Sequence, residues 1–171
     1  DLEFDFAGQE FRWMAVMSRD QTMLKLCQPG EDAHAYMGSR IGNISYVSLC
    51  GMLHHADWAG TPEQLKAKRY RQLGKVTNLS LQYRTSALTL QRVARVAHGV
   101  TLSPMEARAI HATYLTTYPG VSDYWRNQIA NAQAQGYVET VAGRRIQLGP
   151  QHAWTKETIW GRESAAINSP I

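Results

Sequence analysis

The chain has 171 residues, 44% of them hydrophobic, which is enough for one domain of ordinary size with a real core. Eighteen Lys and Arg against 14 Asp and Glu give a net charge of +4 at pH 7. This charge mildly favours a polyanionic partner. No apolar run approaches the roughly 20 residues that span a bilayer, and the N-terminus lacks the basic and apolar regions of a signal peptide. The two cysteines, Cys27 and Cys50, form no CxxC or CxxH arrangement. We therefore expect a cytoplasmic protein in a reducing compartment, without a membrane anchor or a zinc site.

The first predicted elements are a strand and a helix. Apolar and acidic residues alternate from Leu2 to Phe6, the period-two pattern of a strand, and Ala7-Gly8 ends it. This places Asp5 near the C-terminal edge of the strand. The apolar spacing that follows predicts a helix from Gln9 to Met23, packed on the strand, with Glu10 on its first turn.

Most of the remaining chain is predicted to be helical. A short helix starts at Glu31-Asp32 and runs through Met37, whereas residues 39–60 show no clear pattern. Thr61-Pro62-Glu63 is a strong helix start, with an N-cap, a proline at the first helical position and an acid in the first turn. Further helices are predicted at Ser86–Ala97, Ser103–Tyr118, Val121–Gln135 and Thr155–Asn168.

A β-hairpin is predicted between the last two helices. Residues Tyr137–Val141 and Arg145–Leu148 flank the turn sequence Ala142-Gly143-Arg144, which would put two arginines at the tip. The fold class indicated by the whole pattern is α+β and mostly helical.

The helix that begins with Thr-Pro-Glu carries four residues at a strict spacing of four: Arg71, Lys75, Leu79 and Tyr83. Such positions fall along one gently drifting stripe about 18 Å long. Arg forks onto phosphate oxygens and Lys supplies a point charge, so the first half of the stripe suits a polyphosphate and the second half a flat base or sugar. The alternative is a solvated basic face, continuous with the cations of residues 66–69, with Leu79 and Tyr83 turned into the core.

This ladder resembles the fingers helix of family A DNA polymerases, in which Arg, Lys, an aromatic residue and Tyr grip the incoming nucleotide. Other stretches are similar to motifs of that family and occur in the same order. They are Asp5-Phe6-Ala7-Gly8-Gln9-Glu10-Phe11-Arg12, Asp32-Ala33-His34, Tyr118-Pro119-Gly120-Val121, Gly136-Tyr137-Val138-Glu139-Thr140, Gly143-Arg144-Arg145 and Ala165-Ala166-Ile167-Asn168-Ser169-Pro170. The resemblance covers nearly the whole chain.

The resemblance implies a fragment of a right-hand polymerase that adds deoxynucleotides to a primer 3′-hydroxyl. Asp5 would be one of two carboxylates that hold a pair of Mg²⁺ ions, with the Phe6 carbonyl as a further ligand. The partners would be primer-template DNA, dNTP and the remainder of a longer polymerase chain. By the same resemblance, residues 1–28 belong to the palm, 29–154 to the fingers, and 155–171 to the start of a palm helix that faces the primer-template.

Roles at the nucleotide follow from the same motifs. Arg71 and Lys75 would neutralise the triphosphate, and His34 would add a donor to it. Glu10 would lie under the sugar and hydrogen-bond Tyr83, leaving no room for a 2′-hydroxyl. Tyr83 would also stack near the template base.

Contacts with DNA are implied for Ser86, Arg145 and Asn168, which would touch the nucleic acid backbone or minor groove. Among the positions that depart from the family pattern are Leu79 and Arg84. Leu79 stands where most relatives carry the aromatic residue that stacks on the nucleotide, which favours a phage origin. Arg84 replaces the glycine that usually follows the tyrosine, and its side chain could either restrict bending of the helix end or meet a template phosphate.

Three further expectations remain open. The second metal-binding carboxylate should lie beyond Ile171, so we expect these residues alone not to polymerise DNA. One alternative is a single-subunit RNA polymerase, against which Glu10 argues because it would close the 2′ pocket. Another is a non-catalytic helical module that binds nucleic acid through the surface of residues 66–75.

Overall fold

The computed structural model of the chain describes residues 8–150, 152 and 154–170. The predicted strand, and with it Asp5 and Phe6, lies outside the described residues. Within them, the elements in chain order are α1 (Gln9–Ser18), α2 (Gln21–Leu26), α3 (Ala33–Gly42), α4 (Tyr46–His54), a 3₁₀ turn (Ala56–Trp58), α5 (Pro62–Leu81), α6 (Ala87–His98), α7 (Pro104–Thr117), α8 (Pro119–Gln135), β1 (Tyr137–Glu139), β2 (Arg145–Gln147) and α9 (Ile159–Asn168). The strands pair antiparallel in one two-stranded sheet. The prediction of a mostly helical α+β fold is confirmed. No helix in this part of the chain is long and apolar enough to cross a membrane.

Three predicted helix starts are confirmed by their caps. The hydroxyls of Thr61, Ser86 and Ser103 accept hydrogen bonds from the backbone N–H groups three residues further along, at the starts of α5, α6 and α7. Ser103 and Glu106 form a full capping box. These starts were predictable because the cap and its partner lie within one turn of each other.

The prediction of one helix from Gln9 to Met23 is wrong, because the chain breaks into α1 and α2. Arg19 adopts a left-handed conformation (φ 52°) and Asp20 becomes the N-cap of α2. The buried Asp20 carboxylate accepts hydrogen bonds from the backbone N–H groups of Met23 and Gly120, both at 2.9 Å. The break therefore joins α2 to the start of α8.

Other boundaries also differ from the prediction. The helix α3 continues to Gly42, and α4 forms in the stretch that showed no pattern. The last helix begins at Ile159, because residues 155–158 form a turn. The hairpin strands have three residues each, so Arg144 lies in the turn and Arg145 opens β2 opposite Glu139.

The helices α3 and α5 pack with their backbones in contact, at two glycines. A Cβ atom added to Gly74 would lie 2.0 Å from the His34 carbonyl oxygen, and one added to Gly38 would lie 2.4 Å from the Tyr70 carbonyl oxygen. Only glycine allows so close an approach. The packing presses the N-terminus of α3 against the middle of α5, beside the predicted ladder.

Buried side chains from α1, α5, α7 and α8 form the main core under this helix pair. Tyr114 and Tyr118 are its largest fully buried members, and their rings meet edge to face with centroids 5.2 Å apart. Phe11 on α1 packs edge to face against Tyr118 at 6.0 Å. The core thus fixes α1 against the helices that flank α5.

Candidate active site

The predicted ladder is only partly helical. Arg71, Lys75 and Leu79 lie on α5 and are half-buried, but α5 ends at Leu81, and Tyr83 lies in the turn that follows. The expectation that all four share one helical face is therefore wrong. The physical reason is the turn at Arg84, whose left-handed backbone (φ 57°) cannot continue the helix.

Arg71 is held by Asp32, which the sequence placed only at the start of a helix and in a family motif. Asp32 caps α3 by accepting hydrogen bonds from the backbone N–H groups of His34 (3.0 Å) and Ala35 (2.9 Å), and its other oxygen accepts one from Arg71 Nε at 2.7 Å. Burial alone would raise the pKa of Asp32, but the hydrogen bonds and charge of its partners outweigh it, so the pKa lies below its usual value. The terminal nitrogens of Arg71 donate to no described residue, and its side chain remains 40% exposed.

His34 lies beside both cations of the ladder. Burial lowers its pKa first, the Asp32 carboxylate raises it, and the positive charges of Arg71 and Lys75 lower it further, leaving it below 6.5. The Asn78 amide nitrogen donates to the Ala33 carbonyl oxygen at 3.0 Å, which fixes the orientation of that amide, and it lies 3.4 Å from His34 Nδ1. His34 Nδ1 is therefore an acceptor, and a neutral His34 carries its proton on Nε2.

An open cleft of about 300 Å³ lies next to these groups, between α1 and the start of α3. Gly8, Phe11 and Arg12 line it from the α1 side, and His34 and Arg71 line it from the other. The cleft is thus lined by three nitrogen-bearing side chains and also by the carboxylates of Glu31 and Asp32, of which Asp32 is paired with Arg71.

The end of α5 is attached to α1 through Glu10. The Gln82 side chain donates a hydrogen bond to Glu10 Oε2 at 3.2 Å, and the Gln82 carbonyl oxygen accepts one from Trp125 Nε1 at 3.1 Å. Burial raises the pKa of Tyr83, and the charge and hydrogen bonding of Glu10 raise it further. The structure therefore brings Glu10 and Tyr83 together, as expected, and adds Gln82 between α1 and α8.

Two residues of the site, Asn78 and Gln82, were not predicted from the sequence, and each is only 1% exposed. Together with Gly74 they form a second ladder at a spacing of four, one residue before the predicted one. This ladder turns toward α3 and α1, and it holds His34 and Glu10. A glycine and two amides at helical spacing inside an otherwise apolar face were the signal that could have identified it.

The three predicted DNA-contacting residues have local roles in the structure. Ser86 caps α6, Arg145 stacks over the Tyr137 ring at 4.7 Å, and Asn168 is exposed at the end of α9. No hydrogen bond among the described residues joins any of them to Arg71, Lys75 or His34. Their contacts with DNA remain predictions.

The predicted metal ligands, Asp5 and Phe6, lie outside the described residues. Within the described ranges, no group of three or more His, Cys, Asp or Glu side chains is arranged to hold a metal ion. Binding of Mg²⁺ therefore stays a prediction.

Comparison with known proteins gives the class of the chain. Residues 52–171, more than half of it, match the family described as DNA polymerase family A. The chain belongs to this family, which confirms the resemblance seen in its motifs.

Particular relatives are DNA polymerases I of bacteria. The chain is 29% identical to that of Mycobacterium leprae over 167 residues, which cover 98% of the chain and 16% of the relative. It is 28% identical to that of Streptococcus pneumoniae serotype 4 over 170 residues, which cover 99% of the chain and 17% of the relative. The chain thus spans about one sixth of the length of these curated relatives.

A solved structure matches the fold. It is the POL domain of Pol1 from M. smegmatis in complex with DNA primer-template and dNTP, and it superposes with a TM-score of 0.72 at 28% identity. The match covers 97% of this chain and 25% of that one.

Proposed function

We propose that this chain forms the fingers, with adjoining parts of the palm, of a DNA-directed DNA polymerase that adds deoxynucleotides to a primer 3′-hydroxyl. The observation that carries the proposal is that Arg71 and His34 line the cleft between α1 and α3, and that the charge of Lys75 reaches His34. Primer-template DNA and dNTP, which accompany the M. smegmatis Pol1 domain, are the partners that we assign to this chain.

The triphosphate is bound by groups that differ in geometry. Asp32 engages Arg71 through Nε, so the two terminal nitrogens can fork onto phosphate oxygens. Lys75 has no ion pair with a described residue and adds a mobile positive charge. His34, neutral because its pKa is lowered, donates from Nε2 without adding a third positive charge.

The sugar is selected by Glu10. Its carboxylate is held from the end of α5 by Gln82 and lies beside Tyr83, where it occupies the space that a 2′-hydroxyl needs. A ribonucleotide would have to displace this carboxylate or leave its hydrogen bonds unmade, and either outcome costs free energy. Tyr83 lies on the same side of the sugar as Glu10 and contacts the templating base.

The base of the nucleotide packs on Leu79. An aliphatic side chain buries the face of a base but offers no π-stacking, so we infer a weaker contact than an aromatic residue would give. A phage source for the gene rests on Leu79 alone, since the relatives named above are bacterial.

We propose Mg²⁺ as the cofactor, with Asp5 and the Phe6 carbonyl among its ligands and a second carboxylate supplied from outside these residues. This rests on the motif alone. Bound Mg²⁺ would activate the primer hydroxyl and stabilise the leaving pyrophosphate. Without the second carboxylate, we expect the 171-residue chain by itself to show no primer extension.

The proposal is tested by comparing Lys75→Ala with Lys25→Ala in the whole polymerase that contains this sequence. Lys25 is an exposed lysine on α2, so its loss controls for the change in net charge. We expect Lys75→Ala to lower kcat/KM for dNTP about 10- to 100-fold, because a hydrogen bond to a charged group contributes about 1.5–3 kcal/mol. Lys25→Ala should leave it unchanged. Equal activity of the two variants would contradict the proposal and would favour a module that binds nucleic acid without chemistry.

A further inference from the structure

The start of α3 has a backbone donor that the helix itself does not pair. Asp32 caps the helix through its carboxylate, but its own backbone N–H needs a separate acceptor. In a capping box, a Glu or Gln at the third helical position supplies that acceptor. The residue at this position of α3 is Ala35, whose side chain has no polar atom. The acceptor therefore has to come from elsewhere in the chain.

Tyr46, the first residue of α4, supplies the acceptor. Its hydroxyl oxygen accepts a hydrogen bond from the Asp32 backbone N–H at 2.8 Å, although the two residues are 14 positions apart in the chain. The Tyr46 ring packs edge to face against the Tyr36 ring on α3, with centroids 5.5 Å apart, and this contact orients the phenol. Tyr46 thus completes the cap of α3 from a second helix.

The helix that carries Tyr46 is fixed by its own core. Leu49 and Leu53 on α4 are buried. They form a small hydrophobic cluster with Ala35 on α3 and Ala67 on α5. The Tyr46 hydroxyl is therefore presented from a helix that packs against both of the helices flanking the nucleotide cleft.

The Tyr46 hydroxyl is a neutral group. Burial raises the pKa of Tyr46 most strongly, whereas the hydrogen bond from the Asp32 N–H lowers it. Cys50 and Glu31 raise it again, so the pKa lies above its usual value. The phenol is therefore protonated near pH 7, and it binds the Asp32 N–H without placing a further negative charge beside the triphosphate site.

The hydrogen bonds continue from Asp32 to the nucleotide cleft. Asp32 Oδ2 accepts a hydrogen bond from Arg71 Nε at 2.7 Å, and Arg71 lines the cleft. The backbone of Asp32 determines where its carboxylate lies, and the carboxylate determines the direction of the guanidinium. A bond to Nε alone orients the guanidinium only if the carboxylate is itself held in place.

We propose that Tyr46 is a positioning residue for nucleotide binding, an inference that rests on the proposed function. Its hydroxyl holds the backbone of Asp32, and Asp32 holds Arg71 in the orientation that binds the triphosphate. Tyr46 is not among the residues that line the cleft, so it acts through Asp32. Because every dNTP carries the same triphosphate, the contribution of Tyr46 is equal for all four bases.

The test compares Tyr46→Phe with Tyr36→Phe in the whole polymerase that contains this sequence. Each change removes one phenolic hydroxyl and keeps both rings, but the Tyr36 hydroxyl makes no hydrogen bond within the described part of the chain. We expect Tyr46→Phe to raise KM for dNTP about 3- to 10-fold and to change kcat by less than about 2-fold, because a misdirected Arg71 weakens triphosphate binding equally before and during the reaction. Tyr36→Phe should leave both constants unchanged.

The division of the effect between KM and kcat separates positioning from a loss of folded protein. A variant that is partly unfolded contains fewer active molecules, which lowers the apparent kcat and leaves KM unchanged. The same substitution in an Arg71→Ala background tests the route of the effect. There Tyr46→Phe should cause no further rise in KM, because the hydroxyl acts on the nucleotide through Arg71.

Several results would overturn the inference. An unchanged KM in Tyr46→Phe, or the same increase in Tyr36→Phe, would contradict it. A lower kcat at an unchanged KM would assign Tyr46 to the stability of the fold alone. A further rise in KM in the Arg71→Ala background would show that the hydroxyl does not act through Arg71. Failure of the proposed function is distinct, because Arg71→Ala by itself would then leave KM for dNTP unchanged.

Discussion

Arg84, in the turn after α5, forms an ion pair with Glu163 on α9. The Glu163 side chain is 16% exposed and the Arg84 side chain 38% exposed, so the pair is partly shielded from water. It joins the end of the proposed fingers helix to the helix expected to face the primer-template. The Arg84 guanidinium is thus engaged within the protein, although the sequence left open a contact with a template phosphate.

The ion pair and the left-handed backbone at Arg84 can be separated by mutation. Arg84→Ala removes the pair and keeps the backbone strain, so the free energy of unfolding should fall by about 0.2–1 kcal/mol, the range for a partly exposed pair. Arg84→Gly removes the pair but relieves the strain at φ 57°, so it should be more stable than Arg84→Ala by about 1 kcal/mol. Urea unfolding measures the free energy of unfolding of both Arg84 variants. Glu163→Gln is the variant that removes the ion pair and leaves residue 84 unchanged. An alanine variant as stable as the glycine variant would show that the turn has a different conformation.

The contact of α3 with α5 predicts that Gly74 tolerates no side chain. In Gly74→Ala the new Cβ would meet the His34 carbonyl oxygen at 2.0 Å, and both partners are backbone atoms of packed helices. We expect a loss of about 1–3 kcal/mol in the free energy of unfolding, the usual cost of overpacking.

A matched control is available in α4. A Cβ at Gly51 would have no heavy atom within 4 Å, so Gly51→Ala should stabilise the protein by about 0.5–1 kcal/mol through helix propensity. Thermal unfolding of the two variants compares them directly. Equal changes in stability in Gly74→Ala and Gly51→Ala would mean that α3 and α5 are further apart than described.

The lowered pKa of His34 predicts a pH dependence. Burial and the neighbouring cations disfavour the protonated ring in the folded state, whereas the unfolded state protonates near pH 6.5. The unfolded state therefore binds more protons as the pH falls through 6.5, and stability decreases on acidification. NMR titration should give a midpoint for His34 below 6.5.

The lowered pKa of His34 should also make the unfolding free energy of the unmodified protein depend on pH differently from that of His34→Gln. Between about pH 7.5 and about pH 5.5, spanning the ordinary pKa of His, the protein should lose more unfolding free energy than His34→Gln does. His111, whose pKa is also lowered by burial, is present in both proteins and cancels in the comparison. A midpoint at or above 6.5, or equal losses, would show that His34 is more exposed or pairs more strongly with Asp32.

Features set by neighbouring residues were predictable from the sequence. The starts of α5, α6 and α7 were predictable from their N-caps, because a cap and its N–H partner lie within one turn. These caps are Thr61, Ser86 and Ser103. The hairpin was predictable for the same reason, since its turn is local. The resemblance to the family motifs also predicted the order in which these elements occur along the chain.

Features set by distant partners were not predictable in this way. Asp20 ends α1 partly because its carboxylate binds Gly120, which is 100 residues away in the chain. The partner of Arg71 is 39 residues before it, and the partner of Arg84 is 79 residues after it. No local pattern contains such pairs, and the end of the predicted ladder at Tyr83 was therefore misplaced on the helix.

The central claim, that this chain selects deoxynucleotides for DNA synthesis, is tested most directly at Glu10. The measurement is the ratio of kcat/KM for dNTP to that for rNTP in the whole polymerase, for the unmodified enzyme, Glu10→Gln and Glu10→Ala. We predict a strong preference for dNTP in the unmodified enzyme, a preference largely kept in Glu10→Gln because the side chain keeps its size, and a preference lost by about 10-fold or more in Glu10→Ala. An unmodified enzyme that uses both nucleotides equally, or a Glu10→Ala variant with unchanged preference, would contradict the account.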